Sequence, residues 1–168
     1  MKPLLLALAL VGLAGSAKAD EKVTLSGVHN CCGGCAAGIK KAAGSVAGIT
    51  TALDGDKVTL GATNAAELQK AVDALVAAGY SGASDNAAVK VNAGAGPDEK
   101  VTSLTVTGAH MCCGKCVSAA KKAIASVAGV KSDTVTAHAD TFKVEGEFNA
   151  KDLMETLAKA GFTGKATK

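Results

Sequence analysis

Residues Thr24 to Ile49 read TLSGVHNCCGGCAAGIKKAAGSVAGI, and residues Thr105 to Val130 read TVTGAHMCCGKCVSAAKKAIASVAGV. One offset of 81 positions carries the first stretch onto the second, through the histidine, the three cysteines, a lysine pair and a closing Ser-Val-Ala-Gly. The offset drifts later, yet Ala78-Gly79-Tyr80-Ser81-Gly82 still answers Ala160-Gly161-Phe162-Thr163-Gly164. Self-similarity of this length means two copies of one structural unit.

The periods within each copy set its elements. Lys22–Ser26 and Val101–Thr107 are β-branched and alternating, so each copy opens with a strand. Beyond the cysteines, Ile39, Ala42, Ala43 and Val46 recur at helical steps, as do Val117, Ala120, Ile124 and Val127. Gly48 and Gly129 are placed to end those helices. A hairpin follows over 49–60, turning at Asp54-Gly55, and its counterpart pairs a strand over 130–138 with one over 141–144. Asn64 and Asn149 are positioned to cap second helices, with Leu68, Val72 and Leu75 on one apolar face and Leu153 and Leu157 on the other. Met154 falls on that same apolar face, and a short strand comes last. The order β-α-β-β-α-β, twice over, predicts an α+β chain of two tandem ferredoxin-like domains, each a four-stranded antiparallel sheet with two helices on one face.

The ends and the joint are compositionally distinct. Residues 1–19, MKPLLLALALVGLAGSAKA, have a charged start, an apolar core and an A-x-A exit, the pattern of a signal peptide. The apolar run is shorter than the about 20 residues that a spanning helix needs. Domain 1 is expected over 20–84, a linker over 85–99 and domain 2 over 100–168, the linker's Gly, Ala and polar content reading as flexible. The expected location is periplasmic or secreted, with no membrane contact after cleavage.

Without residues 1–19 the chain holds 16 Lys against 15 acids, because the 18 Lys of the full chain lose Lys2 and Lys18; the net charge is +1 and there is no Arg. Near-neutrality argues against nucleic acid as a partner, and the lack of Arg argues against bidentate phosphate recognition. One Tyr and three Phe leave little for base stacking. The lysine pairs Lys40-Lys41 and Lys121-Lys122 read as solvated helix faces, and His138 as a surface histidine at the cysteine end of the second copy.

All six cysteines lie in the two loops between first strand and first helix. The helix start carries unpaired N–H groups and partial positive charge, which favour thiolate, the form that binds metal. A C-x-x-C across loop and first turn brings two sulfurs to one ion, and thiolates select Cu(I), Zn(II) and other soft ions. His29, Cys31, Cys32 and Cys35 can supply a Cys₃His set suited to four-coordinate Zn, as can His110, Cys112, Cys113 and Cys116. Adjacent residues on an extended loop point to opposite sides, so Cys31 and Cys112 can equally face a second ion, a partner protein or solvent. Three cysteines per copy cannot pair off within it, which counts against a disulfide framework.

These residues resemble the heavy-metal-associated domain family, which includes copper chaperones, the N-terminal domains of copper-transporting ATPases and the periplasmic mercury-binding protein. The family's motif after the first strand is G-M-x-C-x-x-C. Met111 to Cys116, MCCGKC, matches its M-x-C-x-x-C with Cys112 in the variable position, whereas Asn30 replaces the methionine in the first copy. The resemblance implies that Cys32 with Cys35, and Cys113 with Cys116, are the metal ligands, that the methionine is buried support, and that Gly79-Tyr80 and Gly161-Phe162 are the Gly-aromatic pair beside the metal. The reading is a monomeric, non-enzymatic carrier or scavenger of a soft ion, Cu(I) favoured, that exchanges it with a metal-donor or metal-acceptor protein. Zn(II), Cd(II) or Hg(II) held by Cys₃His-type ligands, and a thiol–disulfide redox protein, are the alternatives. The prolines, Pro3 and Pro97, leave none opposite the motif as a thioredoxin-like enzyme places one.

Overall fold

The computed structural model describes residues 21–168, and the expected signal peptide lies outside them. The first unit runs β1 (Glu21–Ser26), α1 (Gly33–Ala43), β2 (Thr50–Asp54), β3 (Lys57–Ala62), α2 (Ala65–Ala77) and β4 (Ala83–Ser84). The second repeats it as β5 (Lys100–Thr107), α3 (Gly114–Ala125), β6 (Val130–Asp133), β7 (Thr141–Asn149), α4 (Ala150–Lys159) and β8 (Lys165–Thr167). The sheets have strand orders β2-β3-β1-β4 and β6-β7-β5-β8, antiparallel throughout. These are the two ferredoxin-like domains expected from the repeat.

Strand alternation buries Val23, Leu25, Val58 and Leu60 in one sheet and Leu104, Val106, Phe142, Val144 and Phe148 in the other. Ile39, Leu68, Val72 and Leu75 close the first core, and Ile124, Leu153, Met154 and Leu157 the second. Asn64 Oδ1 accepts from the Glu67 N–H at 3.0 Å and Asn149 Oδ1 from the Lys151 N–H at 2.9 Å, so both expected caps form.

Three local features depart from the sequence reading. Gly48 and Gly129 do not end the first helices. α1 stops at Ala43 and α3 at Ala125, and the Ser45 and Ser126 hydroxyls donate to the carbonyls three residues back, closing the last turn early. The glycines instead take left-handed φ values of +79° and +88° at the entry to the next strand. The strand expected over 130–138 ends at Asp133, whose Oδ1 accepts from the Val135 N–H at 2.9 Å. Beyond it His138 turns left-handed at φ 66° and donates its N–H to the Met111 carbonyl, which ties this loop to the second cysteine loop. The imidazole itself is exposed, as expected.

The third departure is the linker. Residues 85–99 carry no helix and no strand, yet they are docked rather than loose. Val89 is buried, and Gln69 of α2 both donates to the Lys90 carbonyl and accepts from its N–H, at 2.8 and 2.7 Å. Further on, the Gly94 N–H donates to Thr163 Oγ1 and Asn149 Nδ2 to Asp98 Oδ1. Side-chain partners on both domains outweigh the flexibility that the composition suggests.

The two domains meet through equivalent loops. Tyr80 and Phe162 form an antiparallel bridge, with the Ser81 N–H donating to the Gly161 carbonyl and the Thr163 N–H to the Gly79 carbonyl, each at 3.1 Å. Gly79 and Gly161 have φ values of +88° and +85°, and a Cβ on either would collide with the histidine backbone of the other domain, His110 and His29 respectively. Both glycines are therefore required twice, by conformation and by close approach. Gly161→Ala should lower unfolding stability by at least about 1–3 kcal/mol, the cost of a strained left-handed residue alone. Urea unfolding of the metal-free protein checks this; an unchanged midpoint would show that the two loops do not pair in solution.

Candidate metal centre

Each cysteine loop is built the same way. Cys32 and Cys113 are the N-caps of α1 and α3, with extended backbone at φ −162°, ψ 171° and φ −161°, ψ 174°. Cys35 and Cys116 lie in the first helical turn and are fully buried, while Cys31, Cys32, Cys112 and Cys113 are partly exposed. Met111 is buried beneath its loop, as the resemblance implies. Asn30, in the matching place, fixes its loop differently, its Nδ2 donating to the Gly55 carbonyl at 2.9 Å.

The domain contact brings both loops into one cluster. Cys35 Sγ lies 3.7 Å from Cys116 Sγ, across the contact between the domains. Within each copy, Cys32 and Cys35 are 3.7 Å apart and Cys113 and Cys116 3.8 Å. Across the contact, Cys31 is 3.7 Å from both Cys113 and Cys116, and Cys112 is 3.5 Å from Cys32 and 3.3 Å from Cys35. All six are free thiols, and the shortest of these separations is far from the roughly 2.05 Å of a disulfide.

The histidines also cross over. The His29 ring packs on Phe162 of the second domain with centroids 4.4 Å apart, and His110 packs on Tyr80 of the first at 4.5 Å. The Tyr80 hydroxyl goes on to donate to the Cys35 carbonyl at 3.2 Å. The resemblance implies that Gly79-Tyr80 and Gly161-Phe162 lie beside the metal; each aromatic ring stacks on the histidine that precedes the other copy's cysteines. Nothing in the sequence of one copy signals that exchange. His29 has a ring nitrogen within 4.8 Å of both Cys31 and Cys116 Sγ, whereas His110 joins no such set among the described residues. Cys31, Cys32 and Cys35 lie within 4.8 Å of one another, but His29 is not grouped with all three. His29 approaches one thiol from each domain.

The electrostatics divide the thiols. The backbone N–H of Cys35 foremost, at the positive end of α1, holds the Cys32 thiol below the ordinary cysteine range, and that of Cys116 does the same for Cys113. Burial pushes Cys31 and Cys112 well up, with the neighbouring thiols adding to it. Burial also opposes ionisation of Cys35 and Cys116. It prevails at Cys116, while at Cys35 the Cys31 backbone and surrounding thiols outweigh it, because two thiolates in contact do not readily both ionise. Burial lowers both histidines, keeping them as neutral imidazoles. Each has a buried Nε2 with no hydrogen-bond partner.

This donor set fits a soft metal ion. A metal about 2.3 Å from each sulfur separates coordinated sulfurs by about 3.8–4.0 Å, and the thiol pairs sit at or just inside that spacing. Sulfur ligands with neutral imidazole nearby suit Cu(I), Zn(II) and their heavier relatives. In the reduced, metal-free protein, Cys32 and Cys113 should react with iodoacetamide before Cys31 and Cys112 near neutral pH, since a lowered pKa leaves more thiolate at a given pH. Peptide mapping over a time course measures the order, and the reverse order would contradict the helix-start account.

Residues 105–163 match the model of the heavy-metal-associated domain. Among solved structures, the solution structure of the N-terminal soluble domains of Bacillus subtilis CopA is 21% identical over 88% of this chain and 94% of that one, with a TM-score of 0.30. No curated protein matches the chain. The fold stands on its own strand orders, and residues 105–163, which run from β5 through the second cysteine loop to Thr163, are similar to the heavy-metal-associated domain.

Proposed function

We propose that this protein is an exported, non-enzymatic carrier or scavenger of soft heavy-metal ions, Cu(I) foremost, binding them as thiolates at the six-cysteine cluster. One observation supports the reading above the others: six free thiols from two loops lie in continuous contact at 3.3–3.8 Å, with no acidic side chain among the metal-holding groups of the described residues. A sulfur-rich environment without carboxylates discriminates against hard, oxygen-seeking cations and in favour of Cu(I). Zn(II) and Hg(II) are the competing cargoes.

Release follows from the exposure gradient. Cys35 and Cys116 are sealed, but Cys32 and Cys113 sit partly exposed beside the exposed glycines Gly33, Gly34 and Gly114. A thiolate of an acceptor protein enters at that edge, takes the place of Cys32 or Cys113, and draws the ion away by successive exchange of sulfur ligands. Glycines there leave no side chain to block the approach. Uptake reverses the order. Each metal–sulfur bond formed releases a thiol proton, so affinity should fall as pH falls.

The reduced protein should bind Cu(I) in preference to Zn(II), with Cu(I) displacing bound Zn(II) from a preloaded sample. Metal analysis after desalting, with the charge-transfer absorbance of metal thiolates, follows the exchange. Cys35→Ser combined with Cys116→Ser should weaken binding by more than about a hundredfold, because both buried ligands are lost. If the reduced parent retained no soft ion at all, the metal-carrier function would fall.

A further inference from the structure

Cys31 and Cys112 stand next to the C-x-x-C pairs without belonging to them. The backbone at Cys32 and Cys113 is extended, so the side chain before each leaves on the opposite face. Cys31 and Cys112 thereby reach the other domain, while staying within 4.8 Å of the cysteine that follows. Cys31, Cys113 and Cys116 form a nearly equilateral triangle with sides of 3.7, 3.7 and 3.8 Å. Cys112, Cys32 and Cys35 form its counterpart with sides of 3.5, 3.3 and 3.7 Å. Towards its own pair, Cys31 lies 3.8 Å from Cys35 and within 4.8 Å of Cys32, and Cys112 lies 3.5 Å from Cys116 and within 4.8 Å of Cys113, so the contacts to the other domain are shorter than that to the adjacent cysteine or comparable with it.

We propose that the two domains share one polynuclear centre made of two three-thiolate sites by exchange of ligands, Cys31 completing the Cys113/Cys116 pair and Cys112 completing Cys32/Cys35. This rests on the soft-ion binding proposed above. Each ion is then held by both domains at once. Loading replaces S–H bonds with metal–sulfur bonds, the protons going to solvent and no electrons moving. The shared edges make the sites interdependent: Cys35 and Cys116 touch each other, and each also touches the cysteine lent by the other domain. The same loops carry the backbone pairing at Tyr80 and Phe162, so metal clamps a contact that is already formed. Third-ligand closure also limits attack on the ion, since a competing thiolate must displace one of three sulfurs rather than fill an open position.

The test uses the full chain, reduced, loaded with two equivalents of Cu(I), and challenged with N-ethylmaleimide in the presence of a competing Cu(I) chelator. In the parent all six cysteines should be protected. In Cys31→Ser, Cys113 and Cys116 of the opposite domain should become at least about tenfold more reactive, while Cys32 and Cys35 change less. In Cys112→Ser the exposed pair should switch to Cys32 and Cys35. X-ray absorption of the unmodified Cu(I)-loaded protein, which needs no variant to fold, should show three sulfurs per copper. Two sulfurs per copper, exposure of the variant's own pair, or no change in either pair would overturn the exchange while leaving metal binding intact. A parent that takes up no Cu(I) would instead overturn the carrier function on which the exchange rests.

Discussion

The antiparallel pairing of Gly79-Tyr80-Ser81 with Gly161-Phe162-Thr163 is the contact on which the rest of this molecule depends. Two backbone hydrogen bonds set the two domains in pseudo-twofold register. Because the loop after each second helix lies beside the loop that carries the cysteines, this register brings the two cysteine loops face to face. The glycines permit it: only a residue without Cβ fits a left-handed turn against the neighbouring histidine backbone. The aromatic residues then complete it by stacking on the histidines from the opposite side.

That arrangement has a chemical consequence for the thiols. Burial disfavours several thiolates in one volume, which is why Cys31 and Cys112 are driven up while the helix starts draw Cys32 and Cys113 down. A positive ion in the middle removes the conflict, and a ring nitrogen of His29 lies within 4.8 Å of Cys31 and Cys116 Sγ at that cluster. The domains are pre-assembled by backbone bonds and by the docked 85–99 segment, so metal binding need not meet the whole cost of bringing two tethered modules together.

Much of a single copy is legible from side chains that act locally. Asn64 and Asn149 cap the helices they precede, the valines and leucines alternate or recur with the period of their element, and Met111 and Met154 are buried where their positions require. The errors are also local. Gly48 and Gly129 looked like helix stops, but Ser45 and Ser126 closed the helices sooner by bonding back to the preceding turn. His138 lies beyond the strand that seemed to contain it, because the Asp133 carboxylate captured the next backbone donor. Residues 85–99 looked loose because their composition is polar and small, and only Gln69, Thr163 and Asn149, distant in sequence, hold them down.

The sequence by itself determined the two ferredoxin-like domains and the two C-x-x-C pairs at helix starts, since hydrophobic period, capping and helix-start electrostatics act over a few residues. Only the tertiary structure decided what Cys31, Cys112, His29 and His110 face. Their neighbours lie in the other copy, distant along the chain, and an extended backbone alone tells which way a side chain leaves, not what it meets. The partner of each was fixed by the register of two loops pairing through their main chains, an interaction that the identity of the cysteines does not encode.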